Sequence, residues 1–344
     1  MELLEILRSR ARVHPQRIVL AEGQDERVIQ GAACAVAKSY AKPTLLGSLT
    51  IIRAAADRAG VKLGGIDIID PSSSPRVERY AQILFEQRRA RGMALEEAYE
   101  LSRKALYFAG LRLAAGEADA IVGGPSGSAN GVACAALDSI GLAPQARIPS
   151  GCSLVVLPGR AGKSFGHKNC LLFADCGLVA EPSAQNLADI AIDTAQSARM
   201  IFEAEPRVAL LSMSTKGPAA SARDEKVREA LRIAKSRQPE LVIDGPLQSE
   251  AALVASIADL EAPGSRVAGR ANVLVFPDPT TASIASNLVE HLAAGVVVGG
   301  ILQGLAHPAS VLSRSCSADD VAHAIAVTSV QAVARKEAAS GSAA

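Results

Sequence analysis

In the stretch "VLSRSCSADDVAHAIAV" (Val311–Val327), Ser313 and Arg314 precede two aspartates, Asp319 and Asp320. An arginine beside a helix N-terminus makes an anion site, because the guanidinium and the unpaired helical N–H groups aim donors the same way. Arg314 would then hold a phosphoryl group or a developing oxyanion while Asp320 takes a proton. The same residues have a plainer reading. Ser317-Ala318-Asp319-Asp320 fits S-x-x-[DE], a capping box, and Val321, Ala324, Ile325 and Thr328 form the apolar stripe of the helix it would start. Spacing alone favours the cap for Asp320, and the plainer alternative for Arg314 is a surface salt bridge.

Other strand-end segments carry polar side chains. "GGPSGSANG" (Gly123–Gly131) is a Gly/Ser-rich loop that lets backbone N–H groups approach an anion, with Ser128 and Asn130 as its candidate side chains. It matches neither a Walker A loop nor G-x-G-x-x-G, so a tight turn explains it equally well. "FEQRRARG" holds Arg88, Arg89 and Arg91 and reads first as a solvated helix face. Asp175 in "LFADCG" and Ser214, Thr215 and Lys216 in "SMSTKG" occupy further strand ends. Cys316 lacks an adjacent base: His323 lies about two turns along the helix, and nothing ties His307 to it. Cys316 therefore reads as a small packing residue. The six cysteines form no CxxC and the five histidines are far apart, so the pattern points to reduced thiols and to neither a metal nor a tightly bound cofactor.

These residues need elements to hold them. The chain has 344 residues, enough for two domains, with 49% hydrophobic and 21% charged residues. Net charge is +1, aromatics are 3% and Trp is absent, which argues against nucleic-acid and membrane partners. The amphipathic start "MELLEILRSRARVHPQR" has no secretory pattern, and no uncharged apolar run approaches about 18 residues, so the cytoplasm is the expected compartment. Ten short apolar runs read as strands: "RIVLAEG", "PTLLGS", "DIIDP", "DAIVGG", "SLVVLP", "CLLFADCG", "VALLSMS", "ELVIDGP", "NVLVFPD" and "GVVVGGIL". Helical periods separate several of them. In "PSAQNLADIAIDTAQSARMIF", Leu187, Ile190, Ala191, Thr194, Ala198 and Ile201 share one stripe, with Pro182 near the first turn. This is βαβ alternation and predicts an α/β fold with largely parallel sheets, whose ligands bind outside the carboxyl ends of strands. "APQARIPSGC" (Ala143–Cys152) is the candidate domain crossing, and the tail "EAASGSAA" is expected to fray.

Several of these runs, with "KVREALRIAK" and "ILQGLAHPASVLSRSCSADDV", resemble in order and spacing the phosphate acetyltransferase and phosphate butyryltransferase family, over nearly the whole chain and closer to the acetyl branch. The resemblance implies two three-layer α/β domains of the isocitrate/isopropylmalate dehydrogenase type with an interdomain cleft. One domain would take residues 1–147 and 300–344, the other 148–299. It implies a homodimer and reversible transfer between acetyl phosphate and coenzyme A, which serves as a substrate, by direct attack with no acyl-enzyme. The family's S-R-G-x-S-x-x-D motif puts its catalytic base on Asp320, and its charge-stabilising Ser and Arg on Ser313 and Arg314. A further family arginine that binds phosphate falls on Arg88.

The chain departs from the family in three places. The family's H-[ST]-T-A-x-T-x-R-P segment is "GPSGSANGVACAAL" here, so the His is gone and the phosphate-contacting Arg falls on Ala133 or Cys134. A family Lys and Arg fall on Asn287 and His291, and the motif Gly is Ser315. Arg147, Lys163 and Lys168 are candidates to replace the lost charge. Besides an acetyltransferase with a remodelled anion pocket, a family enzyme for a longer acyl group and a non-catalytic CoA-binding regulator fit these departures. A dehydrogenase, which the fold alone permits, lacks the expected aspartate cluster.

Overall fold

The computed structural model describes residues 2–127, 129–159, 164–217 and 221–341. The chain falls into two compact units, Leu4–Gln145 with Gly300–Ala344, and Met1–Leu3 with Ala146–Gly299. Short apolar strands and amphipathic helices alternate through both, as βαβ units require.

The chain begins with α1 (Glu2–Val13), β1 (Gln16–Leu20), α2 (Glu26–Ala37), β2 (Ala41–Leu46), α3 (Leu49–Arg58) and β3 (Asp67–Ile69). It continues through α4 (Val77–Arg88), α5 (Leu95–Ser102), α6 (Ala105–Ala114), β4 (Ala120–Gly123) and α7 (Ala129–Ser139). The middle segment contains β5 (Ser150–Val156), β6 (Cys170–Ala174), α8 (Ala184–Phe202), β7 (Val208–Leu211), α9 (Ala222–Arg237) and β8 (Ile243–Leu247). It goes on through α10 (Ser249–Leu253), α11 (Ala255–Glu261), β9 (Val273–Val275) and α12 (Pro279–Leu292). The chain closes with β10 (Val296–Gln303), β11 (Ala309–Val311) and α13 (Ala318–Gly341).

In the unit built from both chain ends, the strand order is β3-β2-β1-β4-β11-β10. All neighbours are parallel except β10 and β11, which pair antiparallel at Ile301 and Ser310. In the middle unit the order is β10-β5-β6-β9-β7-β8, with β5 and β6 antiparallel and the strands from β6 to β8 parallel. Strands buried on both faces carry continuous apolar runs. Ile18, Val19, Leu20, Leu45, Leu46, Ile121 and Val122 are almost fully buried in one unit. Val155, Leu171, Phe173, Leu274 and Phe276 cluster in the other.

All ten expected strands are present. β11 was missed, because three residues after a proline carry no visible alternation. Its pairing with β4, Ala309 opposite Ile121 and Val311 opposite Gly123, makes it a strand. Gly300 lets β10 approach: its φ is +64°, and a Cβ there would lie 2.3 Å from the Val311 carbonyl oxygen. The six stripe residues of α8 are buried as expected, but Pro182 stands before the cap. Ser183 is the N-cap and forms a reciprocal capping box with Asn186. No helix among the described residues is long and apolar enough to cross a membrane.

Candidate active site

β1, β4 and β11 are adjacent and parallel, so their carboxyl ends open on the same side. From β1 the chain proceeds to β2 and β3 on one side, while β4 lies on the other. The strand order reverses there, which is where open α/β sheets leave a crevice for ligands. Three segments leave this edge: 21–25, 124–127 and 312–317.

The segment after β1 carries Glu22 and Asp25, and Arg27 follows in the first turn of α2. The buried Glu22 carboxylate accepts the Gly124 N–H at 2.9 and 3.1 Å. Burial pushes its carboxyl up to about 7, opposed by the Gly124 donor and reinforced by the charge of Asp25. Asp25 caps α2 by accepting the Arg27 N–H at 3.0 Å. Its side chain also grips the Arg27 guanidinium in a fork, with Nε at 3.0 Å and Nη2 at 2.7 Å. That pairing holds the Asp25 carboxyl below its usual range.

The segment after β4 turns at Gly124, whose φ of +115° suits only glycine. The segment after β11 is tied to it twice: Leu312 N–H donates to Gly123 O at 2.7 Å, and Arg314 Nε donates to Gly127 O at 3.2 Å. Cys316 N–H closes a turn onto Ser313 O at 3.1 Å, and the Ser313 and Ser315 hydroxyls share a 2.8 Å hydrogen bond. The side chains of Ser313 and Arg314 are exposed. The capping box is present: Asp320 N–H donates to Ser317 Oγ at 3.2 Å, and Asp320 Oδ2 accepts from the Ser317 N–H and hydroxyl, each at 2.8 Å. Both of those bonds use Oδ2; among the described residues no hydrogen bond engages Oδ1. Cys316 is buried, and burial pushes its thiol up, which keeps it protonated.

The structure thus gathers Ser313, Arg314 and Asp320 at the start of α13, and Arg314 reaches the loop that leads into α7. Asn130 is exposed in the first turn of α7, and Ser128 lies outside the described residues. Arg88 does not join them. Its buried guanidinium donates to Leu137 O at 2.5 Å and Asp138 O at 3.0 Å and pairs with the Asp138 carboxylate at 2.7 Å. Asp138 stands eight residues beyond Asn130, ~12 Å along the helix at 1.5 Å per residue. Arg88 therefore secures the far end of α7.

Sequence reasoning overlooked Glu22, Asp25 and Arg27. The available signal was "AEGQDERV", four charged residues packed between an apolar strand and a helical period, with Asp25 at the cap position.

Several of the remaining candidates are paired away from this edge. Asp175 accepts the N–H groups of Gly151, Leu178 and Val179 at 2.6–3.0 Å. Lys216 pairs with Asp244, and Thr215 Oγ1 accepts the Gln248 N–H at 3.0 Å. Of the proposed replacement cations, Lys168 pairs with Glu2 at 2.8 Å, Arg147 is exposed, and Lys163 lies outside the described residues. On α7 Ala133 is buried and Cys134 exposed; on α12 Asn287 and His291 are exposed. The middle unit has an open cavity of about 600 Å³ lined by Glu181, Ser183, Arg223, Lys226, Asp278 and Thr281, whose two cations and two acids balance. No group of three His, Cys, Asp or Glu side chains among the described residues could hold a metal.

Residues 2–329 match the family described as "Phosphate acetyl/butaryl transferase". The chain belongs to the phosphate acetyl/butyryl transferase family. Phosphate acetyltransferase of Acetivibrio thermocellus is similar at 40% identity over 332 residues, covering 96% of this chain and 98% of that one. Phosphate acetyltransferase of Clostridium acetobutylicum is 38% identical over 332 residues, covering 96% and 99%. A phosphotransacetylase structure from Streptococcus pyogenes superposes with a TM-score of 0.88 at 34% identity, covering 97% and 98%. As a member of the phosphate acetyl/butyryl transferase family, the protein is an acyltransferase, and its α/β architecture is the one its structural relatives share. The Ser313–Asp320 segment, part of one of the runs that carry the sequence resemblance, lies at the switch-point edge described above.

Proposed function

We propose that the protein transfers an acetyl group reversibly between phosphate and coenzyme A, in a ternary complex without an acyl-enzyme. The observation that carries this reading is the Ser313–Asp320 segment at the end of β11: Arg314 points across to the Gly127 carbonyl, and Asp320 uses only Oδ2 for its cap. Capping and catalysis are therefore compatible in one carboxylate.

A thiol such as that of CoA has a pKa of about 8.5, so its thiolate fraction near neutrality is small. Asp320 Oδ1 accepts the thiol proton as sulfur attacks the acyl carbon. The carbonyl oxygen gains negative charge, which the Ser313 hydroxyl and the Arg314 guanidinium offset. The C–O bond to phosphate then breaks, the C–S bond remains, and the proton leaves Asp320 to solvent. Cys316 takes no part, since its buried thiol stays protonated. Asn130 acts on the substrate from the first turn of α7, and Ser128 is assigned the same role from the sequence alone. Arg88, held by Leu137 and Asp138, acts through the placement of α7. CoA is a substrate, no tightly bound cofactor is needed, and the protein works as a cytoplasmic homodimer.

A second reading is a longer acyl group. The family's phosphate-contacting Arg falls on Ala133 or Cys134, and both side chains are small. A non-catalytic regulator is the third. The test is thioester formation from CoA with acetyl, propionyl and butyryl phosphate at several phosphate concentrations. Fast turnover with acetyl phosphate is the expected result. Preference for a longer acyl phosphate selects the second reading, and folded, CoA-binding protein without turnover selects the third.

A further inference from the structure

We propose that Arg27, gripped by Asp25, is a positioning residue for the acyl-transfer site: it fixes the Arg314–Cys316 turn and thereby sets where the Arg314 guanidinium points. This rests on the proposed reading of Arg314 as the group that meets the anion. Arg27 Nη1 donates to two backbone carbonyls of that turn, Arg314 O at 2.7 Å and Cys316 O at 2.9 Å. Its Nε and Nη2 are committed to the two Asp25 oxygens. The guanidinium is planar, so fixing one edge on Asp25 fixes the direction of the donors on the other.

Asp25 is itself immobilised. It is the N-cap of α2, its own N–H donates to Glu22 O at 3.1 Å, and the Ser126 hydroxyl reaches its Oδ2 at 3.5 Å. One short segment after β1 thus holds both loops of the site: Arg27 holds the β11–α13 turn, and Glu22 holds the Gly124 N–H of the β4–α7 loop. Against this frame, and among the described residues, the Arg314 side chain adds one long bond of its own, to Gly127 O at 3.2 Å. Without Arg27 two carbonyls of the turn lose a charge-assisted donor, and the base of the Arg314 side chain is free to shift. A displacement of the order of 1 Å in a reacting geometry costs about 100-fold in rate. A lysine has no fork with which to grip Asp25 and reach both carbonyls together, so it replaces arginine only in part.

The experiment compares wild type, Arg27→Met, Arg27→Lys, Asp25→Asn, Arg314→Gln and the double variant Arg27→Met/Arg314→Gln. It measures kcat and KM for acetyl phosphate and CoA, with thermal melting of each. Arg27→Met should lower kcat about 10- to 100-fold, the cost of misplacement, with little change in the KM for CoA or in melting. Arg27→Lys should recover part of the loss and Asp25→Asn should fall between. Because Arg27 acts through Arg314, adding Arg27→Met to Arg314→Gln should cost little more. The inference is overturned if Arg27→Met keeps wild-type kcat, if its loss multiplies in full on the Arg314→Gln background, or if the losses track melting across the milder variants. An Arg314→Gln protein as active as wild type overturns the underlying reading of Arg314, and this inference with it.

Discussion

At the residue scale, one carboxylate carries an observed duty and a proposed one. Asp320 closes the capping box through Oδ2, and the transfer reaction asks for a base. Asparagine keeps an acceptor for Ser317 but takes no proton. Asp320→Asn should therefore lower kcat by about 10²- to 10⁴-fold, the usual worth of a positioned base, with melting nearly unchanged. Steady-state kinetics beside a melting curve checks both, and surviving turnover would reduce Asp320 to a cap. Glu22 makes a separate prediction about stability. Its carboxyl rises from its ordinary value of 4.5 to about 7 on folding, so between those pH values the folded state binds more protons than the unfolded. Stability should fall as pH rises through that window, by at most about 3 kcal/mol from this group at 1.36 kcal/mol per pH unit. Buried Asp193, pushed up to about 7 as well, acts in the same direction. The contribution of Glu22 is thus the difference between wild type and Glu22→Gln, whose denaturation midpoint should decline less from pH 5 to pH 8. Parallel declines would show that Glu22 is not the titrating group.

At the element scale, the place of Asp320 depends on how α13 docks on α2. The contact is close: a Cβ on Gly31 would lie 2.5 Å from Val321 Cγ1, one residue beyond Asp320. Tyr40 anchors the same helix by donating to Ala322 O at 3.2 Å, and the Ser310 and Thr328 hydroxyls meet at 2.7 Å. Alanine is the better helix former by about 1 kcal/mol. Overpacking typically costs about 1–3 kcal/mol, so Gly31→Ala should still be destabilising overall. A lower urea midpoint together with a reduced kcat is expected, since the start of α13 must move. An unchanged midpoint would mean that the interface yields without strain.

At the scale of the whole molecule, ligand binding separates lost chemistry from lost binding. A ligand that binds only the folded state stabilises it by about 2.7 kcal/mol at 100 times its Kd. Excess CoA should raise the melting temperature of wild type and of Asp320→Asn alike. A shift seen in wild type but absent in the variant would place Asp320 in binding rather than in proton transfer. Light scattering should return twice the 35.4 kDa of one chain for the proposed homodimer; a monomer mass would remove that part of the proposal.

The sequence by itself determined the α/β class, the first ten strands and the capping box of α13. These are written locally, in apolar runs, helical periods and an S-x-x-D spacing that neighbouring residues read without tertiary help. It also carried the motif that marked Ser313, Arg314 and Asp320. Only the tertiary structure decided what surrounds them. β11 exists because β4 and β10 pair with it, not because three residues prefer to be extended. Arg88 and Arg27 look alike in sequence, each a charge near a helix end. Their fates differ because one meets the last turn of α7 and the other meets carbonyls nearly three hundred residues away in the chain. Hydrogen bonds of that separation leave no local pattern, so the frame of Glu22, Asp25 and Arg27 becomes visible only when the strands are side by side.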